Sequence, residues 1–270
     1  MFADFARIAE VLEQLPDKRL AIAFSGGVDS VTLARASEII LGKENVLLLL
    51  ADSPFAPSQE KNFAIQWAQA RQLRCMAVKF DPLQIPEIVR NDVLRCYFCK
   101  KAMFSLLKEA ALQAGFPVLA DGENLDDAFD YRPGRKAADE LGIRHIFVEA
   151  KLNKEMIRDL AHDFALPNSQ APAGACLATR IPCGTAIQEK QLLLADHSEN
   201  ILLEMGFSGS RVRICQDMAK IEVAPEDLEK FWKVRKMVLE KFTSLKFKSV
   251  ALDLAGYRRG AANGTENAEI

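Results

Sequence analysis

Apolar and polar positions along this chain alternate between a helical period and a strand period. Residues 2–15 place Phe2, Phe5, Ile8, Ala9, Leu12 and Leu15 at helical spacing, so a helix is expected ahead of the first strand. Leu20–Phe24 forms a short apolar run, expected as a strand, with a helix from Asp29 towards Leu41. Asn45–Ala51 (NVLLLLA) is apolar without interruption from Val46 on, the mark of a parallel strand buried on both faces. The same reading gives a helix at Glu60–Leu73, a strand at Cys75–Phe80 and a helix at Tyr97–Ala114. Strands at Pro117–Ala120 and Arg144–Glu149 and a helix at Lys154–Phe164 follow. Strands alternating with helices predict an α/β fold with a doubly wound parallel sheet. Ligands of such a sheet belong at the carboxyl ends of its strands.

The pattern changes near Leu166. Residues 167–186 are rich in Pro, Ala and Gly. Beyond them a helix is expected at Glu189–Met205, paired strands at Arg211–Ile214 and Ala219–Val223, a helix at Pro225–Leu245 and a strand at Val250–Leu254. The expected organisation is therefore a nucleotide-binding domain over 1–166 and a smaller α+β domain over 167–260. The tail 261–270 has almost nothing to bury and is expected to be disordered.

Composition narrows the function. A chain of 270 residues that is 49% hydrophobic can bury a full core. A net charge of −2 offers no bulk basic field for nucleic acid or an anionic membrane, so neither is expected as a partner. No apolar run reaches the ~18 residues of a membrane span, and no apolar leader segment follows Met1-Phe2-Ala3-Asp4, so a cytoplasmic chain is expected. Six cysteines are too few for a secreted disulfide scaffold, which points clustered thiols towards a metal or a reaction.

The stretch LAIAFSGGVDS, Leu20 to Ser30, has the physics of a phosphate cradle. Gly26 and Gly27 are expected to take positive φ and approach a ligand closely. Ser25, Asp29 and Ser30 surround the turn, and Asp29 or Ser30 is expected to cap the helix. The amides at that helix start, with the dipole behind them, favour an anion. The GxxxxGK[ST] and GxGxxG forms are both absent. Two other polar strand ends, Asp52-Ser53 (beside which a nucleotide base can sit) and Asp121-Gly122-Glu123-Asn124, fall at the same sheet edge. SGGxDS after a strand resembles the PP-loop of the ATP pyrophosphatases, which adenylate a substrate and release pyrophosphate.

Cys96 and Cys99 form a C-x-x-C pair at a helix start. Alone it is open between a zinc half-site, a redox pair, a cluster half-site and two inert thiols. Lys100, Lys101 and the helix start are expected to lower a nearby thiol pKa. Cys176 lies in a loop of small residues, PAGACLATR, with Cys183 shortly after it, whereas Cys75 and Cys215 read as core fillers. His145, His162 and His197 stand singly and are expected as ordinary surface or core histidines. Arg211 and Arg213 alternate on a strand and so share a face, either a site for phosphate or carboxylate or a solvated surface.

Taken together, SGGVDS, RCYFCKKAMF, DGENLDDAFDYRPG, APAGACLATRIPCG, RVRICQDMAKIEV and LDLAGYRRG resemble, in that order, the motifs of the LarE family of PP-loop sulfur transferases. The resemblance implies an enzyme that binds ATP and Mg2+ and adenylates a carboxylate of pyridinium-3,5-biscarboxylic acid mononucleotide. It then converts that carboxylate to a thiocarboxylate, twice, on the way to the nickel-pincer cofactor of lactate racemase. Ser25, Gly26, Gly27, Asp29 and Ser30, with Asp52, Ser53 and Gly122, would hold the nucleotide. Cys176 is the implied sulfur-handling residue and Arg180 its catalytic neighbour. Thr179 and Arg180, with Arg211 and Arg213, match positions that line the substrate pocket, with Glu199 and Glu222 as less specific matches.

The resemblance leaves two sulfur routes. Members with a single cysteine give up its sulfur and are left with dehydroalanine. Members with three hold a [4Fe-4S] cluster whose fourth iron carries the donor sulfide, and Cys96, Cys99 and Cys176 follow that pattern. Cys183 departs from it, standing where the family usually has the Tyr of IPYG. A homo-oligomer, a sulfur-delivery protein and a downstream nickel-insertion enzyme are implied as partners. The alternatives are another PP-loop enzyme, such as a tRNA thiolase (usually SGGKDS, against Val28 here) or a synthetase-like amidotransferase domain, and a non-catalytic nucleotide- and zinc-binding redox sensor.

Overall fold

The structure, a computed structural model, describes residues 2–128, 133–172 and 174–258; the tail 261–270 lies outside them. Five strands, β1 (Leu20–Ala23), β2 (Val46–Asp52), β3 (Arg74–Lys79), β4 (Leu119–Asp121) and β5 (Arg144–His145), form one sheet in the order β3-β2-β1-β4-β5. Every pairing in it is parallel. The helices that follow its strands are α2 (Val28–Leu41), α3 (Ser58–Ala70), α4 (Arg95–Gln113) and α5 (Pro133–Glu140), with α1 (Phe2–Glu13) ahead of β1 and α6 (Lys154–Asp163) after β5. This is the doubly wound α/β fold that the alternation predicts.

The period-two alternation of the strands divides their side chains between two cores. Leu20, Ile22, Val46, Leu48 and Leu50 pack with Ile8, Leu12, Val31, Ile157 and Leu160. Ala21, Leu47 and Leu49 pack on the other face with Phe104, Leu107 and Phe116. The run from Val46 to Ala51 is apolar throughout because each face of β2 meets its own layer of helices.

One predicted strand is cut short. Arg144–Glu149 is a strand only at Arg144–His145, and Ile146–Glu149 forms a single helical turn. Consecutive Ile146 and Phe147 are both fully buried in the same core. A strand would send them to opposite faces, whereas a helical turn can bury both on one side.

The described residues divide into two compact units, one within Met1–Pro82 and Leu94–Ala173, the other within Leu83–Val93 and Gly174–Ile270. The second unit holds a three-stranded sheet of order β6-β7-β8: β6 (Arg211–Cys215) antiparallel to β7 (Met218–Glu222), and β7 parallel to β8 (Ser249–Leu252). Helix α7 (Glu189–Glu204) starts on a capping box of Gln188 and Gln191. Pro225–Asp227 forms a 3-10 turn that leads into α8 (Leu228–Ser244).

Asn91 ties the short segment 83–93 into this unit. Its Nδ2 donates to the carbonyls of Ile181 (3.3 Å), Pro182 (2.9 Å) and Thr185 (3.0 Å), and its own carbonyl accepts from Gly184 N (2.8 Å). The side chain is fully buried and its backbone φ is +58°. Asn91→Ala is expected to lower stability by about 1–3 kcal/mol, because three loop carbonyls lose a buried donor and alanine tolerates this φ poorly. An unchanged urea midpoint would show that the 181–185 loop is held by other means.

Candidate functional site

β1 and β4 are neighbours at the centre of the large sheet, and the chain winds away from them in opposite directions. That is the switch point where such sheets bind ligands. The loop after β1 carries the SGG sequence. Gly26 has φ +83°, and a Cβ there would lie 2.6 Å from the Glu60 carbonyl oxygen of α3, so only glycine fits. Gly27 differs from expectation: its φ is −68° with ψ 158°, an extended residue at the N-cap of α2.

No side chain caps α2. The helix begins at Val28, which places Asp29 and Ser30 inside its first turn rather than at the cap. Ser30 Oγ donates instead to the Gly27 carbonyl (3.0 Å) and lies 3.3 Å from Ser25 Oγ, which accepts from Gly27 N (3.3 Å). Gly122 follows β4, and a Cβ on it would come within 2.9 Å of Ser30 N. The second glycine-bearing strand end therefore lies against the first-turn amides of α2. Glycine backbone on both strand ends and an uncapped helix start are what a phosphate chain needs.

Asp29 is engaged by a residue that local sequence does not mark. Lys154 Nζ lies 2.6 and 2.7 Å from its two carboxylate oxygens, across 125 positions of chain. Burial pushes the Asp29 carboxyl above the usual carboxylate range, with Lys154 pulling the other way. Asn168 Nδ2 donates to the Gly26 carbonyl (3.0 Å). Asp52, the last residue of β2, pairs with Lys61 of α3, and Ser53 Oγ accepts from Phe55 N (3.2 Å) in the turn that follows.

Cys96 and Cys99 lie one turn apart in the first turns of α4, Cys96 exposed and Cys99 half-buried. The lysines that follow are directed elsewhere. Lys101 binds the Tyr97 hydroxyl (2.8 Å) and Glu140 (2.9 Å), and Lys100 lies 3.9 Å from Glu123 and over the Phe104 ring. Arg95 Nη2 lies 3.5 Å from Cys96 Sγ.

In the second unit, Cys176 precedes the 3-10 turn Leu177–Arg180. The Arg180 side chain is 1% exposed and its guanidinium is surrounded by acceptors. Nε and Nη2 reach the two Glu199 oxygens (2.7 and 2.9 Å), and Nη1 donates to the carbonyls of Ala175 (3.0 Å) and Cys176 (3.2 Å) and to Thr179 Oγ1 (2.7 Å). Thr179 Oγ1 donates in turn to the Cys176 carbonyl (2.9 Å). Glu199 also accepts from Val212 N of β6 (2.9 Å), which joins α7, β6 and the cysteine turn.

Arg211 and Arg213 do not form the simple pair of open guanidinium groups that their alternation suggests. Arg213 binds Glu222 of β7 (2.8 Å from Nη2) and donates to the Thr179 carbonyl (2.7 Å). Arg211 is buried, donates to the carbonyls of Gly209 and Ser210, and lies over the Tyr257 ring at 5.2 Å. Thus Cys176, Thr179, Arg180, Glu199, Arg213 and Glu222 form one connected constellation. The carboxylates are the part of it that spacing alone does not reveal.

Comparison with known proteins gives the family. No family model matches the chain. An uncharacterized protein of Synechocystis sp. is 34% identical over 247 residues, 91% of this chain and 92% of the relative. An uncharacterized protein of Methanocaldococcus jannaschii is 30% identical over 247 residues, 91% of this chain and 93% of the relative. The pyridinium-3,5-bisthiocarboxylic acid mononucleotide synthase of Lactiplantibacillus plantarum is 32% identical over 248 residues, 92% of this chain and 90% of that enzyme. The chain belongs to the LarE family.

In this LarE-family chain the grip on the Cys176 turn depends on one buried charge and its partner. Glu199→Gln is expected to cost about 3–5 kcal/mol, because it leaves the Arg180 guanidinium buried without its counter-charge. A thermal or urea unfolding curve unchanged from the parent would show that Arg180 is held by its carbonyl acceptors alone.

Proposed function

We propose that this LarE-family chain is an ATP-dependent sulfur transferase. It adenylates the carboxylates of pyridinium-3,5-biscarboxylic acid mononucleotide, converts them to thiocarboxylates and releases AMP and pyrophosphate. The observation that carries this reading is the 32% identity to the bisthiocarboxylic acid mononucleotide synthase along 92% of the chain. On the same reading the chain works in the cytoplasm as a homo-oligomer. A sulfur-delivery protein supplies it, and its product passes to a nickel-inserting enzyme.

The chemistry follows from the leaving groups. A carboxylate is a poor electrophile; its attack on the α-phosphorus of ATP expels pyrophosphate and makes an acyl-adenylate. Sulfur then adds at the acyl carbon and AMP departs. Ser25, Gly26, Gly27, Ser30 and Gly122 hold the phosphates at the start of α2, Mg2+ offsets their charge, and Asp52-Ser53 borders the base. Lys154, now paired with Asp29, supplies a cation beside the same loop.

Arg180 and Thr179 hold the Cys176 backbone through its carbonyl, so they set the position of the thiol. Arg211, Arg213 and Glu222 orient the mononucleotide. By donor chemistry Cys96, Cys99 and Cys176 would each offer a thiolate to a [4Fe-4S] cluster: none forms a disulfide, none is buried, and Cys96 and Cys99 lie one helical turn apart. When bound, the cluster would supply an open iron able to carry a sulfide.

Thiolated product per chain, measured by mass spectrometry with ATP and Mg2+ present, tests the sulfur route. Cys176→Ala is expected to make none, and Cys96→Ala or Cys99→Ala at most one sulfur transferred per chain. Many turnovers by Cys96→Ala would exclude the cluster. Gly26→Ala is expected to slow substrate-dependent pyrophosphate release by about tenfold or more, equivalent to ~1.4 kcal/mol. Unchanged release would remove this loop from nucleotide binding.

A further inference from the structure

Asp121, Glu123 and His145 converge at the carboxyl edge of the large sheet, on residues with no role in the proposed sulfur transfer. Asp121 ends β4, and His145 is its register partner on the parallel strand β5. Glu123 stands two residues beyond Asp121, past Gly122. Their ligand-type atoms all lie within 4.8 Å of one another. The three residues are 7%, 8% and 7% exposed.

His145 Nδ1 lies 2.7 Å from Asp121 Oδ1, which also accepts from Glu123 N (3.1 Å). Glu123 Oε1 and His145 Nε2, in contrast, are buried and make no hydrogen bond. Charged groups lie around them: Arg135 Nε is 3.5 Å from Glu123 Oε1, Lys100 Nζ 3.9 Å from Oε2, and Asp139 Oδ1 3.4 Å from His145 Nε2. None of these satisfies the two orphaned atoms with hydrogen-bond geometry. Buried polar atoms are rarely left so, and a bound ion is one of the standard reasons.

We propose that Asp121, Glu123 and His145 form a binding site for a divalent transition cation. Two carboxylates and one imidazole are the donor set of Zn2+, Fe2+ or Mn2+, while the imidazole disfavours Mg2+ and Ca2+. Arg135 lies 3.8 Å from Asp139, a second carboxylate that can hold it when Glu123 takes the ion. The ion would join the ends of β4 and β5 and fix the segment that presses Gly122 onto α2. This inference rests on these three side chains and stands whether or not the chain transfers sulfur.

Mn2+ is the suitable probe, because it prefers oxygen and nitrogen donors and leaves the thiols alone. The full nucleotide-free chain would be titrated while the signal of free Mn2+ is followed by electron paramagnetic resonance. Pulsed measurements would detect nitrogen coupled to the bound ion. One Mn2+ per chain with a single imidazole coupling is expected. His145→Gln should lose that coupling, and both His145→Gln and Glu123→Gln should weaken binding at least about tenfold. No bound Mn2+ in the unaltered chain overturns the proposal without recourse to a variant. So does unchanged affinity in Glu123→Gln, or nitrogen coupling that persists in His145→Gln.

Discussion

β1 lies hydrogen-bonded between β2 and β4, and the chain leaves this pair of ladders in opposite directions. That reversal opens a crevice at the carboxyl ends of β1 and β4, because the connections after these strands pass to opposite sides of the sheet. The SGG loop, the start of α2 and the segment after β4 all meet there. Gly26 admits the backbone of α3, and Gly122 admits the first turn of α2. A side chain at either position would push apart the elements that shape the loop.

The second unit is organised around a charge that cannot reach water. A buried guanidinium is tolerated only when its donors are matched, and Arg180 has Glu199 and three further acceptors. Two of those acceptors are carbonyls of the turn that carries Cys176, so stabilising the arginine also fixes the cysteine backbone. Arg213 extends the arrangement through Thr179 and Glu222. Stability and the placement of the Cys176 thiol are here the same set of hydrogen bonds.

Much of this was legible along the chain. The unbroken apolar run 46–51 marked a strand covered on both faces, and the glycine pair after β1 marked the loop, since both signals are local. Where the sequence misled, a competing local choice won. Val28 rather than Asp29 starts α2, so neither Asp29 nor Ser30 caps it. Ile146 and Phe147 share one core, so β5 is short. Asn91, Lys154 and His145 gave no signal, because their partners lie far away in sequence.

By itself the sequence determined the alternation of strand and helix, the glycine loop, the thiol spacing and the motif order that marks the family. Each depends on neighbours within a few positions, where backbone period and side-chain type suffice. Only the tertiary structure decided which carboxylate meets which cation: Asp29 with Lys154, Glu199 with Arg180, Glu222 with Arg213, and Asp121 and Glu123 with His145. Such pairings depend on strand order, register and burial. A charge removed from water must find its partner wherever the fold has brought one, and no spacing along the chain encodes that choice.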